Sequence, residues 1–114
     1  MEFSQLTEQQ QALSKKIVKL LTPVYNPLAI YVYGPPDWGI GDEPARVEIS
    51  VIVEKSYNRR PFDRSFFGNR VLRDSGVRQY LFVYTPTEFD DFAAQGYETT
   101  YYAKNYGVKI YKRS

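Results

Sequence analysis

The sequence predicts a small α/β domain: a mixed sheet of about four strands with helices packed mainly on one face. Three observations lead there. The chain has 114 residues, enough for one hydrophobic core and too few for two, so residues 1–114 read as a single domain. Apolar residues recur at helical spacing between Leu6 and Leu21, and at a period of two between Val47 and Val53. The two kinds of segment follow one another as helix, strand, strand, strand, helix, strand, an order that layers helices on a sheet.

The first helix is announced by Thr7-Glu8-Gln9-Gln10, which has the spacing of a capping box. Leu13, Ile17, Leu20 and Leu21 continue its apolar stripe as far as Thr22-Pro23, where the helix is expected to stop. Lys15, Lys16 and Lys19 fall on its polar side and read as a solvated face. After Asn26-Pro27, the run Leu28–Tyr33 is almost wholly apolar and rich in β-formers, a buried strand ended by Gly34-Pro35-Pro36. A loop leads through Pro44 to the second strand, in which Val47, Ile49, Val51 and Val53 alternate with Glu48, Ser50, Ile52 and Glu54. Ser56 to Val77 has the weakest pattern and predicts a loop with a short helix. Tyr80 to Tyr84 forms a third strand. Thr85-Pro86-Thr87-Glu88 then supplies an N-cap, a proline at the first helical position and a glutamate at the third. Gln95-Gly96 interrupts that helix, Tyr97 to Asn105 forms a further helical segment, Gly107 is placed to cap it, and Val108 to Tyr111 is the last strand.

Composition narrows the chemistry. Fifteen basic and 13 acidic residues give a formal charge of +2, too even to argue for nucleic acid or membrane by net charge alone. There is no cysteine, so disulfides and thiolate catalysis are excluded; there is no histidine, which removes the commonest general base and zinc ligand. Carboxylates, lysines, tyrosines and hydroxyls remain. The opening MEFSQLTEQQ has no basic segment followed by an apolar run, and no stretch is long enough to cross a bilayer, so a cytoplasmic protein with no membrane partner is expected.

The glycine turn after the first strand and the expected acids on the second resemble the minimal nucleotidyltransferases of the DNA polymerase β superfamily. LFVYTPTEFDDF and GVKIY are similar to that family's strand, Thr-Pro-x-Glu-Phe helix start and closing segment, so the resemblance spans most of the chain. It implies a phosphate loop of Gly-Ser type, an Asp-x-Asp pair on the second strand and a third Asp on the next, together holding two magnesium ions and a nucleoside triphosphate. Carried onto this chain, the loop falls on Gly34 and Pro35, the acidic pair on Glu48 and Ser50, and the third acid on Tyr80. One acid of three remains. Pro35 and Pro36 bring no backbone N–H to a phosphate, and Asp37, Asp42 and Glu43 add negative charge to the loop. The expectation is therefore a catalytically inactive domain, a pseudoenzyme with no catalytic residue, metal or cofactor of its own, acting as a binding or regulatory module. Such domains often work beside a small helical protein in prokaryotic two-gene modules, so a protein partner is implied, either of that kind or a second copy of the chain.

Two alternatives stand beside this. Asp42 or Glu43 swinging toward Glu48 would rebuild a magnesium site and an active transferase. The arginine-rich segment, Arg59, Arg60, Arg64, Arg70, Arg73 and Arg78, would suit phosphate, nucleic acid or an acidic partner, with Tyr57, Phe62, Phe66 and Phe67 available for stacking; its plainer reading is a solvated loop packed by its aromatics. Trp38, an indole among turn residues, reads equally as a lid on the core or as an interface anchor. Tyr97, Tyr101, Tyr102 and Tyr106 share a helical face suited to core packing or a homodimer contact.

Overall fold

The computed structural model describes residues 2–40, 45–55, 63–73 and 77–114. After a 3-10 turn at Phe3–Gln5, helix α1 spans Glu8–Tyr25 and opens with the expected reciprocal cap: Thr7 Oγ1 accepts from the Gln10 N–H at 3.1 Å, and Gln10 Oε1 accepts from the Thr7 N–H at 3.0 Å. The helix does not stop at Pro23. It runs on through Tyr25 to Asn26, whose left-handed backbone (φ 45°) closes it with an N–H donated to Thr22 O. Pro23 removes one intrahelical bond, but Tyr25 is held from outside the helix, its hydroxyl donating to Arg64 O at 2.7 Å.

Four strands follow: β1, Ala29–Tyr33; β2, Ala45–Ile52; β3, Val77–Tyr84; and β4, Val108–Lys112. They form one mixed sheet in the order β3-β2-β1-β4, with β1 antiparallel to β2 and β4, and β2 parallel to β3. Val32 lies opposite Ile49, and Glu48 beside Tyr80. β3 begins three residues earlier than expected, at Val77. The weakly patterned stretch contributes a 3-10 turn, Asp63–Ser65, and the short helix α2, Phe66–Leu72.

Alternation divides the sheet into two faces. Ile30, Val32, Ile49, Val51, Leu81 and Val83 pack on one side against Ile17 and Leu21 of α1 and Leu72 of α2. Ala29, Ile52 and Tyr84 pack on the other against Phe89 of α3 (Pro86–Ala94) and Ala103 of α4 (Glu98–Tyr106). The α/β class and the four-stranded mixed sheet are as expected, whereas the helices, expected mainly on one face, divide between both. Aromatic rings explain the second layer: Tyr31 stacks on Phe89 with centroids 5.0 Å apart, and Tyr84 packs against Phe89 and Phe92. Rings of this size bury too much apolar surface to leave that half of the sheet in water. α3 opens with the expected box, Thr85 Oγ1 accepting from the Glu88 N–H and Glu88 Oε1 from the Thr85 N–H. Among the described residues no helix is long and apolar enough to cross a membrane.

Candidate functional site

The second face carries α3 and α4. β1 ends at Tyr33, and the chain turns through Gly34-Pro35-Pro36. This turn is built from local bonds: Trp38 donates its N–H to Pro35 O (2.7 Å), Ile40 to Asp37 O (3.1 Å), and Gly39 to the Asp37 carboxylate (2.8 Å). Arg46 N–H, donating to Trp38 O, ties the loop to β2; the buried Gln10 side chain, donating to Pro36 O at 3.0 Å, ties it to α1. Trp38 adopts a left-handed backbone (φ 57°) and is 4% exposed, packed in the α1 core. Of its two sequence readings, the structure shows the lid on the core; an interface anchor would need an accessible ring.

Between this turn and the strands lies a cleft of about 510 Å³, lined by Tyr33, Gly34, Pro35, Arg46, Glu48 and Tyr80. Four of the five positions aligned with the transferase site thus share one cleft. The fifth, Ser50, projects from the same side of β2 but is 1% exposed, and its Oγ has no hydrogen-bond partner among the described residues. Tyr80 is exposed at the rim, and Tyr33 is backed by Tyr102 of α4, the rings stacked at 5.5 Å. Burial pushes the Glu48 carboxyl above its usual range, and the charge of Glu98, at the start of α4, pushes it the same way. Burial, then Glu48 and Glu88, push the Tyr84 hydroxyl up to about 12. Among the described residues no group of three or more acidic residues is placed to hold a metal ion. Asp42 and Glu43, the displaced acids of the alternative, lie outside the described residues.

The arginine segment separates into parts. Arg59 and Arg60, and the side chain of Arg78, lie outside the described residues. Arg70 and Arg73 are exposed beside a shallow depression with Phe66, Asn69 and Gln79. Arg64 does not belong with them. Its side chain is 5% exposed and grips Glu88 with both terminal nitrogens, Nη1 to Oε1 at 2.6 Å and Nη2 to Oε2 at 3.0 Å, while Nη1 also donates to Val83 O. Its assignment to a phosphate or partner is corrected: the guanidinium is committed to the fold. In the tyrosine group, Tyr102 is partly buried, while Tyr97, Tyr101 and Tyr106 are exposed. Sequence reasoning missed Glu98 altogether, because only the docking of α4 brings it toward Glu48.

Comparison with models of known protein families, with curated proteins and with solved structures finds no significant match.

Proposed function

We propose that the chain is a nucleotidyltransferase-like domain without transfer chemistry, serving as a binding module for a protein partner. One observation carries the proposal: where the resemblance calls for three carboxylates, the cleft offers Glu48, with Ser50 buried beneath and Tyr80 at its rim. Two divalent ions bridging a triphosphate require clustered carboxylates to offset their charge. A single carboxyl brings one negative charge where two divalent ions need several, and is a poor substitute. The loop supports the same reading, since Pro35 and Pro36 bring no N–H to the mouth of the cleft and the Pro36 carbonyl is already engaged by Gln10. The nucleic-acid reading loses Arg64 to its ion pair with Glu88 and keeps Arg70 and Arg73 among the described residues.

Isothermal titration with each nucleoside triphosphate, with and without magnesium, tests the proposal. The expected result is no magnesium-dependent heat. A saturating, magnesium-dependent signal that Glu48→Gln abolishes would reinstate an active transferase.

A further inference from the structure

A second hollow lies on the α3–α4 side of the sheet and shares no lining residue with the Glu48 cleft. Its volume is about 360 Å³, and four aromatic residues, Phe82, Tyr84, Phe92 and Tyr97, line it together with Glu98 and Thr100 of α4. Phe82 and Tyr84 are two apart on β3, so their rings rise from the same side of the strand, with centroids 6.2 Å apart and planes at 21°. Phe92 of α3 stands at 71° to the Tyr84 ring, and Tyr97, just before α4, at 68° to the Phe92 ring. Rings in crossed planes lining one hollow offer a small rounded group contact from more than one side. The turn between α3 and α4 fixes them: Gly96 takes a left-handed backbone (φ 80°), and the Tyr97 N–H donates to Phe92 O at 3.0 Å. The arrangement exists before any ligand arrives.

The polar groups of the hollow are few and of one sign. The Thr100 hydroxyl is committed to Tyr97 O at 3.1 Å. Among the described lining residues Glu98 alone carries charge, and it forms no ion pair with another described residue. Arg46 and its register partner Arg78 lie four residues back along their strands from the Ser50–Phe82 row, about 13 Å at the rise of a strand. Ring faces attract cations, and a carboxylate beside them adds to the attraction. A primary ammonium or a guanidinium would bring several N–H donors into a hollow with one carboxylate to accept them, and donors left unmade oppose entry. A quaternary ammonium carries its charge with no donor to satisfy.

We propose that this hollow binds a trimethylammonium group, its methyl groups against the Phe82, Tyr84, Phe92 and Tyr97 rings and its charge balanced by Glu98. An apolar group of the same shape would leave the carboxylate without a partner, and an anion would be repelled by it. The site uses no residue of the Glu48 cleft, so it stands or falls apart from the binding-module reading.

The test is a titration of the full-length, ¹⁵N-labelled chain at constant ionic strength, followed by amide chemical shifts. The probes are choline and neohexyl alcohol, its uncharged isostere with carbon in place of nitrogen. Choline should give saturable shifts confined to the second half of β3, the α3–α4 turn and the start of α4. Binding should weaken roughly tenfold for the isostere, and by a similar factor for choline in Tyr97→Ala. Tyr97 is 58% exposed, so its loss spares the core, and Glu98→Gln, which should also weaken choline, serves as a second variant that removes charge without removing a ring. A further pair, acetyl-Gly-Lys-Gly-amide with and without three methyl groups on the lysine nitrogen, separates two sources of the group. Tighter binding of the trimethylated peptide than of choline assigns it to a protein side chain, and the reverse assigns it to a free amine. Equal binding of the isostere or of the unmethylated peptide would overturn the assignment. So would binding untouched by both substitutions, or no saturable shift with either trimethylammonium probe.

Discussion

Gly68 occupies a place that no larger residue fits. A Cβ built there would collide with the Leu81 side chain of β3 and with the Tyr25 hydroxyl, which accepts the Gly68 N–H at 3.0 Å. α1, α2 and β3 meet at this point, so the missing side chain is what lets α2 lie flat on the sheet. Gly68→Ala gains about 1 kcal/mol of helix propensity, yet overpacking of a close contact typically costs about 1–3 kcal/mol. The expected outcome is a lower melting temperature, read by thermal denaturation against wild type; an unchanged or higher value would mean that Tyr25 yields freely. At this scale the sequence was legible where partners are close in the chain. Thr7 with Gln10 and Thr85 with Glu88 were found because each pair spans three residues. Trp38 and Arg64 were not resolved, because their partners come from α1, β3 and α3, far along the sequence.

Arg64 and Glu88 join three elements. The guanidinium leads into α2, its carboxylate partner sits in the first turn of α3, and its third bond goes to Val83 O on β3, an outer strand of the sheet. An outer strand presents unpaired backbone groups on which other chains can assemble, and here a side chain occupies one of them. Glu88 does double service, because the carboxylate that completes the α3 cap is the one that holds Arg64. Its hydrogen bond from Arg64 keeps its carboxyl below the usual range, outweighing the opposing effect of burial. A depressed carboxyl pKa means that the unfolded chain binds more protons than the folded one. The stabilisation is therefore present above the ordinary value of 4.5 and is lost as pH falls through the folded value. Glu88→Ala takes the carboxylate away from a buried guanidinium and should destabilise by about 3–5 kcal/mol, measured by denaturant unfolding at neutral pH. Glu88→Gln should lack this part of the acid-dependent loss. Helix ends show the same limit of local reading: Pro23 signalled a stop, and the external grip on Tyr25 overrode it.

Across the whole molecule, sheet order and the division of helices decide where a site can be. β2 and β3 run parallel through a crossover that carries α2, and this places Glu48 beside Tyr80. That Glu48 and Tyr80 fall in one site was implied by the resemblance, counting back from Thr85-Pro86; their side-by-side register is set by the pairing of the two strands. The two-sided covering was legible in the runs LAIYVY and YLFVY, although helices mainly on one face were expected. Neither alternates with polar residues, and continuous apolar strands are buried on both faces. The approach of Glu98 to Glu48 was not, because it depends on how α4 docks and no local pattern encodes docking.

The chain has a single tryptophan, and the turn that seals it into the core gives the molecule a built-in optical reporter. Folded protein should fluoresce at short wavelength and resist quenching by iodide. Loosening the clasp that Gln10 places on Pro36 should shift that emission to the red before the rest of the structure melts, so that a fluorimeter follows the integrity of the cleft's wall without any attached label.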